Sequence, residues 1–365
     1  MSSSFGFINT SGEFVVPPIY KGVAEFYEGR ASVSGEAGGG YVTRDGREVI
    51  PCEFGYTYAF SEGFAVVSDD PVLAATPACR VREMREREKP MGYIDRAGHY
   101  VIPPAFITAR EFSGGLAAVE YDVRKWGFID PAGYIREVEA DTLNPFVEGY
   151  ARFGADDLRE GFLDTELRVV IPPIYDWVHD FHEGFAWATE DISGESCHFL
   201  NPAGERALSF DVHCHTNFAF GRLAVRVGDR WGCVDKSGDM VISPAFESAQ
   251  HGFYEGLADV QLGGRWGFID VEGDVVVEPR FDEVLPFSDG LAAVRADALW
   301  GYVNATGELV IEPRFDRVWG FSEGLAPVQL GDAWGFVDAT GDMVTEPCFL
   351  EVDVFREGRA SAEVS

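Results

Sequence analysis

A Trp-Gly pair recurs in the second half of the chain at almost constant spacing. Its tryptophans, at Trp231, Trp266, Trp300 and Trp334, are 35, 34 and 34 residues apart. A fixed period of this length is the signature of a repeat array, in which each unit packs only on its neighbours. A single enzymatic domain does not show such a period. The spacing therefore limits the fold to a tandem array of units of about 34 residues.

One unit, residues 266–294, shows how the chain is predicted to fold locally. It reads WGFIDVEGDVVVEPRFDEVLPFSDGLAAV, and its first residues alternate with the period of two that is typical of a strand. The run Asp-Val-Glu-Gly at 270–273 predicts a turn, because aspartate accepts bonds from nearby amides and glycine adopts left-handed conformations. The irregularly spaced apolar residues of segment 281–287 are left unassigned. The unit is predicted to hold three antiparallel strands, at 266–270, 275–277 and 291–294.

Variants of this unit can be followed along nearly the whole chain. We count ten, of which the fourth, from Trp126, and the sixth, from Cys197, are degenerate. Residues 68–90 break the period with arginines interleaved among glutamates. We expect a solvated insertion there, and a docking arm is the functional alternative. The predicted organisation is one continuous array, with repeats 1–2 in residues 1–67 and repeats 3–10 in residues 91–365.

The units share the motifs WGFID, DxxG, VIPP and FSEGLA, repeated in one phase. In this combination the chain resembles the WG repeat family, also called KWG repeats, whose arrays occur in bacterial proteins. The resemblance covers the chain apart from the insertion and is weakest in units four and six. It implies an all-β repeat scaffold and carries over no catalytic residue.

The two ends of the chain bear on whether the array is open or closed. The chain starts on a WG-type strand without an upstream partner, and residues 360–364 form a strand of the type that normally precedes WG. Pairing of these ends would close a propeller-like ring. However, about 34 residues is short for a four-stranded blade. We therefore favour an open, twisted β-superhelix (a solenoid) of ten three-stranded antiparallel β-meander units, with the closed ring as the alternative.

Three positions of the repeat are predicted to be structural. A side chain after each tryptophan would occupy space that a neighbouring strand or the Trp ring of an adjacent unit needs, so Gly267→Val should be destabilising. The turn aspartates recur in so many units that we assign them to turn formation instead of acid/base catalysis; they are Asp130, Asp164, Asp235, Asp270 and Asp338. The structural Trp and Gly positions are Trp126, Trp231, Gly232, Trp266, Gly267, Trp300, Gly301, Trp334 and Gly335.

Composition and charge exclude several classes of partner. The net charge is −32, with 29 Lys plus Arg against 61 Asp plus Glu, so a nucleic-acid partner is not expected. Neither a signal peptide nor an apolar run of membrane-spanning length occurs, so we expect a soluble, cytoplasmic monomer. The six cysteines have no CxxC or framework spacing, which suits a reducing compartment.

Motifs of enzymes and cofactor sites are missing from the sequence. It contains no GxSxG elbow, no GxxxxGK phosphate loop and no HExxH metal motif. We therefore predict a protein that is not an enzyme, and we assign it no cofactor and no resident metal.

Five of the seven histidines fall in the same segment of units five to seven. Imidazoles and a thiol that converge could bind a transition metal, or could form a pH-dependent or aromatic binding patch. Equivalent positions three strands apart would lie roughly 14 Å from each other, too far for one metal ion unless the units coil tightly. The alternative is scattered surface histidines in divergent repeats. The candidate residues are His179, His182, His213, Cys214, His215 and His251, together with Trp177 and Trp187.

Three functional hypotheses remain open from the sequence. The leading one is a non-enzymatic scaffold whose extended repeat surface binds a protein or peptide. The second is a binder of carbohydrate or a cell-envelope ligand, with exposed Trp177, Trp187 and Trp319 stacking on sugar rings. The third is a hydrolase built in a closed ring with a central pocket. A surface without a deep pocket favours the scaffold, aligned exposed tryptophans favour sugar binding, and a buried carboxylate or histidine cluster favours catalysis.

Overall fold

A computed structural model describes residues 4–69, 91–155, 159–190, 197–210 and 217–364. Within these ranges every regular element is a β-strand, and a membrane-crossing helix is absent from them. Apart from Ser68 and Asp69, the predicted insertion lies outside the described residues, as do His213, Cys214 and His215. The chain is therefore all-β, as predicted.

The strands form ten small antiparallel sheets, nine of four strands and one of three in the described residues. Each sheet is a meander in which consecutive strands pair, and we number its strands first to fourth along the chain. The sheet orders are β3-β4-β5-β6, β7-β8-β9-β10, β11-β12-β13-β14, β15-β16-β17-β18, β19-β20-β21-β22, β23-β24-β25, β26-β27-β28-β29, β30-β31-β32-β33, β34-β35-β36-β37 and β38-β39-β1-β2. The strands up to residue 182 are β1 (Ser4–Ile8), β2 (Phe14–Tyr20), β3 (Gly22–Tyr27), β4 (Arg30–Ser34), β5 (Gly39–Thr43), β6 (Glu48–Phe54), β7 (Tyr56–Ser61), β8 (Phe64–Ser68), β9 (Met91–Asp95), β10 (Tyr100–Phe106), β11 (Thr108–Ser113), β12 (Leu116–Asp122), β13 (Lys125–Ile129), β14 (Ile135–Val138), β15 (Thr142–Val147), β16 (Tyr150–Gly154), β17 (Glu160–Asp164), β18 (Val169–Tyr175) and β19 (Trp177–His182).

The remaining strands continue the same pattern to the end of the chain. They are β20 (Phe185–Thr189), β21 (Cys197–Leu200), β22 (Arg206–Phe210), β23 (Leu223–Val227), β24 (Arg230–Val234), β25 (Met240–Phe246), β26 (Phe253–Tyr254), β27 (Leu257–Leu262), β28 (Arg265–Asp270), β29 (Val275–Phe281), β30 (Glu283–Val284), β31 (Leu291–Ala296), β32 (Leu299–Asn304), β33 (Leu309–Phe315), β34 (Arg317–Val318), β35 (Leu325–Leu330), β36 (Ala333–Asp338), β37 (Met343–Phe349), β38 (Glu351–Val352) and β39 (Ala360–Val364). Internal contacts divide the chain into two compact units. Unit 1 covers the described residues within 1–7 and 14–181, and unit 2 covers those within 8–13 and 182–364.

The prediction of three strands per unit is wrong by one. The segment left unassigned supplies the first strand of each four-stranded sheet, as β30 does in the eighth sheet, and the amide of Leu285 continues its ladder by donating to the carbonyl of Ala293 at 2.9 Å. Four strands fit into about 34 residues because they are only two to seven residues long. The turn between the first and second strands is equally short, with two residues between β3 and β4.

The sheet that contains the first strand of the chain also contains the last. In it β1 lies between β2 and β39, so the opening WG-type strand pairs with Ala360–Val364. Pairing of the terminal strands is the way in which β-propellers complete their last sheet. The closed, propeller-like alternative is therefore confirmed, and the open superhelix that we favoured is not.

Turn chemistry explains two of the repeated motifs. In the FSEG motif Glu62 and Gly63 both have positive φ, 52° and 87°, which is the geometry of a type I′ hairpin turn. In the DxxG motif the Asp270 carboxylate accepts the amides of Glu272 at 3.1 Å and Asp274 at 2.8 Å. The equivalent aspartates bond in the same way. Their predicted turn-forming role is confirmed.

The glycine of each WG pair lies where the fourth strand approaches most closely. A Cβ atom on Gly267 would stand 2.3 Å from the Val277 carbonyl oxygen, and one on Gly301 would stand 2.2 Å from that of Ile311. Gly232 and Gly335 meet the same obstacle, at 2.4 and 2.3 Å. The tryptophans before them are buried (Trp126, Trp231, Trp334) or half-buried (Trp266, Trp300).

Neighbouring sheets are joined by side chains of the FSEG motif as well as by apolar packing. In unit 1 the Ser61 hydroxyl donates to the carbonyl of Phe112 at 2.7 Å, and the Glu62 carboxylate accepts the amides of Gly114 and Gly115. In unit 2 Ser322 donates in the same way to Phe355. Each motif thus satisfies backbone groups of the following sheet, which gives a physical reason for its repetition.

Candidate binding surface

The first strands of successive sheets present one exposed face in unit 1. Each carries a buried phenylalanine, and the residues two and four positions before it are directed away from the core. We call the residue two positions before this phenylalanine the face position. In unit 1 the face positions are Ala24, Tyr58, Arg110, Asn144 and His179, and the residues two positions earlier are Gly22, Tyr56, Thr108, Thr142 and Trp177. These ten residues define the first-strand face of unit 1.

Aromatic and cationic side chains make up half of this face. Tyr56 and Tyr58 on β7 are 38% and 43% exposed, and Trp177 on β19 is 59% exposed. Arg110 on β11 and His179 on β19 are also exposed. Tyrosine, tryptophan and arginine are the residues that contribute most to protein interfaces, so this face has the composition of a binding surface.

The structure places two of the predicted site residues on this face and buries another in the core. Trp177 and His179 lie on β19 with their side chains exposed. His182 is exposed as well, but it is the last residue of β19 and belongs to unit 2. Trp187 is only 9% exposed and packs in the core with Phe199 and Phe218, so the hypothesis that it stacks on a sugar is wrong.

His251 of unit 2 is held in a bulge of the seventh sheet. Buried Phe253 lies six positions after Glu247, whereas in the equivalent pair Phe287 lies five positions after Asp282. This extra residue accounts for the spacing of 35 between Trp231 and Trp266. A β-bulge of this kind leaves backbone groups outside the ladder that need other partners.

The partner of these groups is Asp259, whose side chain is almost fully buried on β27. Its carboxylate accepts the amides of Gln250 and His251 at 3.2 Å each. The same carboxylate lies 3.2 Å from Nδ1 of His251, and this bond raises the pKa of the imidazole, while partial burial opposes the shift. His251 is therefore engaged by Asp259 in a structural hydrogen bond.

The predicted histidine cluster is not assembled by the described residues. His179 and His251 do occupy equivalent face positions, but in different sheets, and His251 is occupied by Asp259. No group of three potential metal ligands occurs in the part of the chain that the structure describes. His213, Cys214 and His215 lie outside that part.

Three buried tyrosines, which the sequence analysis missed, fix the backbone beneath three face positions. The Tyr41 hydroxyl donates to the carbonyl of Tyr58 at 2.7 Å, and that of Tyr93 donates to the carbonyl of Arg110 at 2.8 Å. In unit 2 Tyr302 donates in the same way to Trp319, at 2.8 Å. Burial raises the pKa of all three tyrosines, so they remain protonated donors. The available signal was the change from WGF to a Gly-Tyr pair in these three repeats.

The turns between first and second strands carry carboxylates that are already satisfied. Burial of Glu28 opposes its ionisation, but bonds from Arg96 and the Gly63 amide outweigh this effect and lower its pKa. In unit 2 burial opposes ionisation of Glu183 too, and the Gly221 amide and Lys236 lower its pKa. These acidic residues join neighbouring sheets and are not free for a ligand.

Comparisons with known proteins agree with the repeat architecture. A family model described as a WG-containing repeat matches eight segments, at residues 5–34, 40–70, 91–122, 161–191, 231–266, 266–299, 300–332 and 334–364. The chain matches no curated protein. The unmatched stretches contain the two repeats that the sequence shows to be degenerate.

Several solved structures share a general likeness with the chain. A eukaryotic initiation factor is 14% identical, with a TM-score of 0.44, over 73% of this chain and 85% of its own. The computationally designed protein Ika8 is 11% identical, with a TM-score of 0.38, over 71% and 95%. BamB from Moraxella catarrhalis is 12% identical, with a TM-score of 0.35, over 94% and 95%. At this level of likeness the functions of these proteins say nothing about this chain.

Proposed function

Since this chain belongs to the family of WG-containing repeats, we propose that it is a non-enzymatic scaffold whose unit 1 binds a protein or peptide partner on its first-strand face. The observation that carries the proposal is the set of exposed aromatic and cationic side chains on neighbouring first strands. An exposed aromatic ring offers a large apolar contact area at a small cost in conformational entropy. Such rings on a rigid sheet are therefore suited to recognition.

The rigidity of the surface supports the same function. The first strands are fixed by the FSEG contacts and by buried aromatic pairs, such as Tyr93 and Phe112 with ring centroids 4.9 Å apart. A binding surface that is ordered before its partner arrives loses less conformational entropy on binding.

Affinity purification from native lysate tests the proposal. Tagged full-length protein and the double variant Tyr58→Ala/Trp177→Ala would be compared by mass spectrometry of the captured proteins. The control is Ile19→Ala/Tyr134→Ala, which removes two side chains that are 68% and 70% exposed elsewhere in unit 1. We expect the wild type and the control to retain the same partner and the face variant to lose it. Capture that is equal in all three proteins would place the binding site elsewhere.

A carbohydrate ligand is the second candidate, and two exposed tryptophans favour it. Trp177 in unit 1 is 59% exposed and Trp319 in unit 2 is 54% exposed. An indole ring can stack on the apolar face of a sugar, and nearby polar groups such as Asn144 can bond to hydroxyls. A glycan array probed with the wild type, Trp177→Ala and Trp319→Ala separates this candidate from the first. Saturable binding to one glycan class that either substitution abolishes would favour it.

A further inference from the structure

The buried tyrosine hydroxyls of unit 1 lie beneath two particular face positions. In each sheet the residue after the WG-type glycine packs against the first strand of the next sheet. It is tyrosine where the next face position is Tyr58 or Arg110, and phenylalanine (Phe7, Phe128, Phe162) where that position is Ala24, Asn144 or His179. Of these two residues, only tyrosine has a hydroxyl that can donate a hydrogen bond to the backbone carbonyl of the next face position. Within unit 1, therefore, the hydroxyls occur under the aromatic and the cationic member of the series.

These hydrogen bonds cross from one sheet to the next. Tyr41 is on β5 and bonds to β7, and Tyr93 is on β9 and bonds to β11. A hydroxyl buried without a partner would be costly, so each bond holds its strand at one distance from the preceding sheet. The backbone that carries Tyr58 and Arg110 is thus fixed from below, and side chains on a fixed backbone lose less freedom when they bind.

Arg110 carries a positive charge that is not paired within the described residues. It is exposed, and no acidic side chain in the described ranges forms an ion pair with its guanidinium group. This is notable in a chain with a net charge of −32, where acidic partners are abundant. A guanidinium group binds a carboxylate with two parallel hydrogen bonds. Tyr58 lies on β7, the first strand that contacts β11, and supplies a partly exposed aromatic ring on the same face.

We propose that Tyr58 and Arg110 form a recognition pair for a peptide segment in which an acidic residue adjoins an aromatic or large aliphatic one. The carboxylate binds the Arg110 guanidinium group, and the apolar side chain packs on the Tyr58 ring. Tyr41 and Tyr93 are positioning residues that act through the two carbonyls. This inference rests on the proposed function and adds the chemistry of the partner to it.

A selection of random linear peptides displayed on phage, with immobilised full-length protein as the target, tests the pair. We expect the enriched peptides to contain an acidic residue next to an aromatic or aliphatic one. The best peptide would then be synthesised and its Kd measured against Arg110→Ala and Tyr58→Ala, each expected to weaken binding roughly tenfold or more. The controls Arg136→Ala and Tyr134→Ala remove exposed residues of the same types away from the face and should leave the Kd unchanged.

A double-mutant cycle separates direct recognition from a general change in the surface. Changing the acidic residue of the peptide to its amide should weaken binding to the wild type, but should have almost no further effect on Arg110→Ala. Equal effects on both proteins would overturn the assignment of Arg110. Enriched peptides that lack an acidic residue, or that bind Arg110→Ala and Tyr58→Ala normally, would also overturn the pair. A selection without any enrichment over bare beads would instead contradict the proposed function itself.

Tyr93→Phe tests the positioning role without changing any exposed side chain. We expect a several-fold rise in the Kd of the selected peptide, because the Arg110 carbonyl loses its hydrogen bond. Tyr302→Phe removes the same kind of bond in unit 2 and controls for the loss of stability. If both variants lower the thermal midpoint to a similar extent and only Tyr93→Phe weakens peptide binding, the positioning role is supported. An unchanged Kd in Tyr93→Phe would refute it.

Discussion

The seventh and eighth sheets of unit 2 share one strand arrangement but differ in the residues that stabilise the first strand. Both contain the WG glycine against a carbonyl of the fourth strand, at Gly267 and Gly301. In the eighth sheet a first strand of two residues leads to Ser288, whose hydroxyl donates to the carbonyl of Phe321 in the next sheet. In the seventh the first strand is bulged, and Tyr254 stands in the place of that serine.

The difference shows which parts of the repeat can vary. An extra residue is accepted in the seventh sheet because Asp259 supplies a buried carboxylate to the two amides of the bulge. The equivalent residue of the eighth sheet is Ala293, which is buried and has no polar group to satisfy. In both sheets the WG glycine lies against a carbonyl of the fourth strand, and no other residue compensates for this close approach in the way that Asp259 compensates for the bulge. The WG glycine, the Asp259 carboxylate and the Ser288 hydroxyl can each be tested by substitution.

The largest effect is expected from Gly267→Val and its counterpart Gly301→Val. Either Cβ atom would overlap a backbone carbonyl oxygen, which cannot swing aside as the end of a long side chain can. We expect each substitution to destabilise the protein by about 3 kcal/mol and by similar amounts in both sheets. Thermal unfolding followed by circular dichroism measures the change. An unaltered midpoint in either variant would show that the strands can separate without cost.

Asp259→Ala is expected to act on the seventh sheet with almost the same strength. It leaves the amides of Gln250 and His251 without their acceptor, which should cost about 2 kcal/mol. Asp332→Ala, which removes an exposed aspartate of unit 2, is the matched control and should have little effect. Deleting Gln250 in the Asp259→Ala background should recover part of the loss, because it restores the five-residue spacing of the eighth sheet. A double variant no more stable than Asp259→Ala would mean that the bulge is not what the carboxylate serves.

Ser288→Ala makes the eighth sheet resemble the seventh. It removes the hydroxyl that donates to the Phe321 carbonyl, and a typical hydrogen bond of this kind contributes about 1 kcal/mol. We expect a loss of that size in urea unfolding. Ser237→Ala is a suitable control, because that serine bonds only to aspartates of its own exposed turn. Equal losses in the two variants would remove the special role of the contact between sheets.

Much of this comparison could be predicted from sequence because it depends on local order. The turn aspartates follow from residues a few positions apart, and the period and the WG glycine follow from motifs that recur every 34 or 35 residues. The first strand could not be predicted from the sequence, because in the eighth sheet it has only two regular residues and its apolar residues are unevenly spaced. Pairing of β1 with β39 joins the two ends of the chain, and no local pattern distinguishes that pairing from an open array.

The candidate site was predicted only in part, for a related reason. The distances from the repeat motifs placed His179 and His251 in the same segment of their units, and the structure has both at the face position. The bond that engages His251 comes from the second strand, where Asp259 is unlike its counterparts in the other repeats. Trp187 fell in the same region of sequence as Trp177, yet it lies on a second strand and faces the core. The exposure of these side chains could not be inferred without knowing that the unassigned segment forms the first strand of the sheet.

The smallest predicted effect is a pH dependence confined to the seventh sheet. The bond from Asp259 raises the pKa of His251 in the folded protein above its ordinary value near 6.5, although partial burial opposes this. The folded state therefore binds this proton more tightly than the unfolded state does. The resulting stabilisation is complete below the unfolded-state pKa and is lost as pH rises through the folded-state pKa.

His251→Gln should therefore lower the stability at pH 5.5 by about 0.5 to 1 kcal/mol and have a smaller effect at pH 8.5. The measurement is the difference in unfolding midpoint between the variant and the wild type across this range. His99→Gln is the control, because that histidine is 82% exposed and its ring lies 3.7 Å from its turn aspartate. The eighth sheet has Leu285 at the same position and should contribute no such titration. A midpoint difference that is constant with pH would mean that the imidazole only fills space beside the bulge, and that the carboxylate of Asp259 is held by the two amides alone.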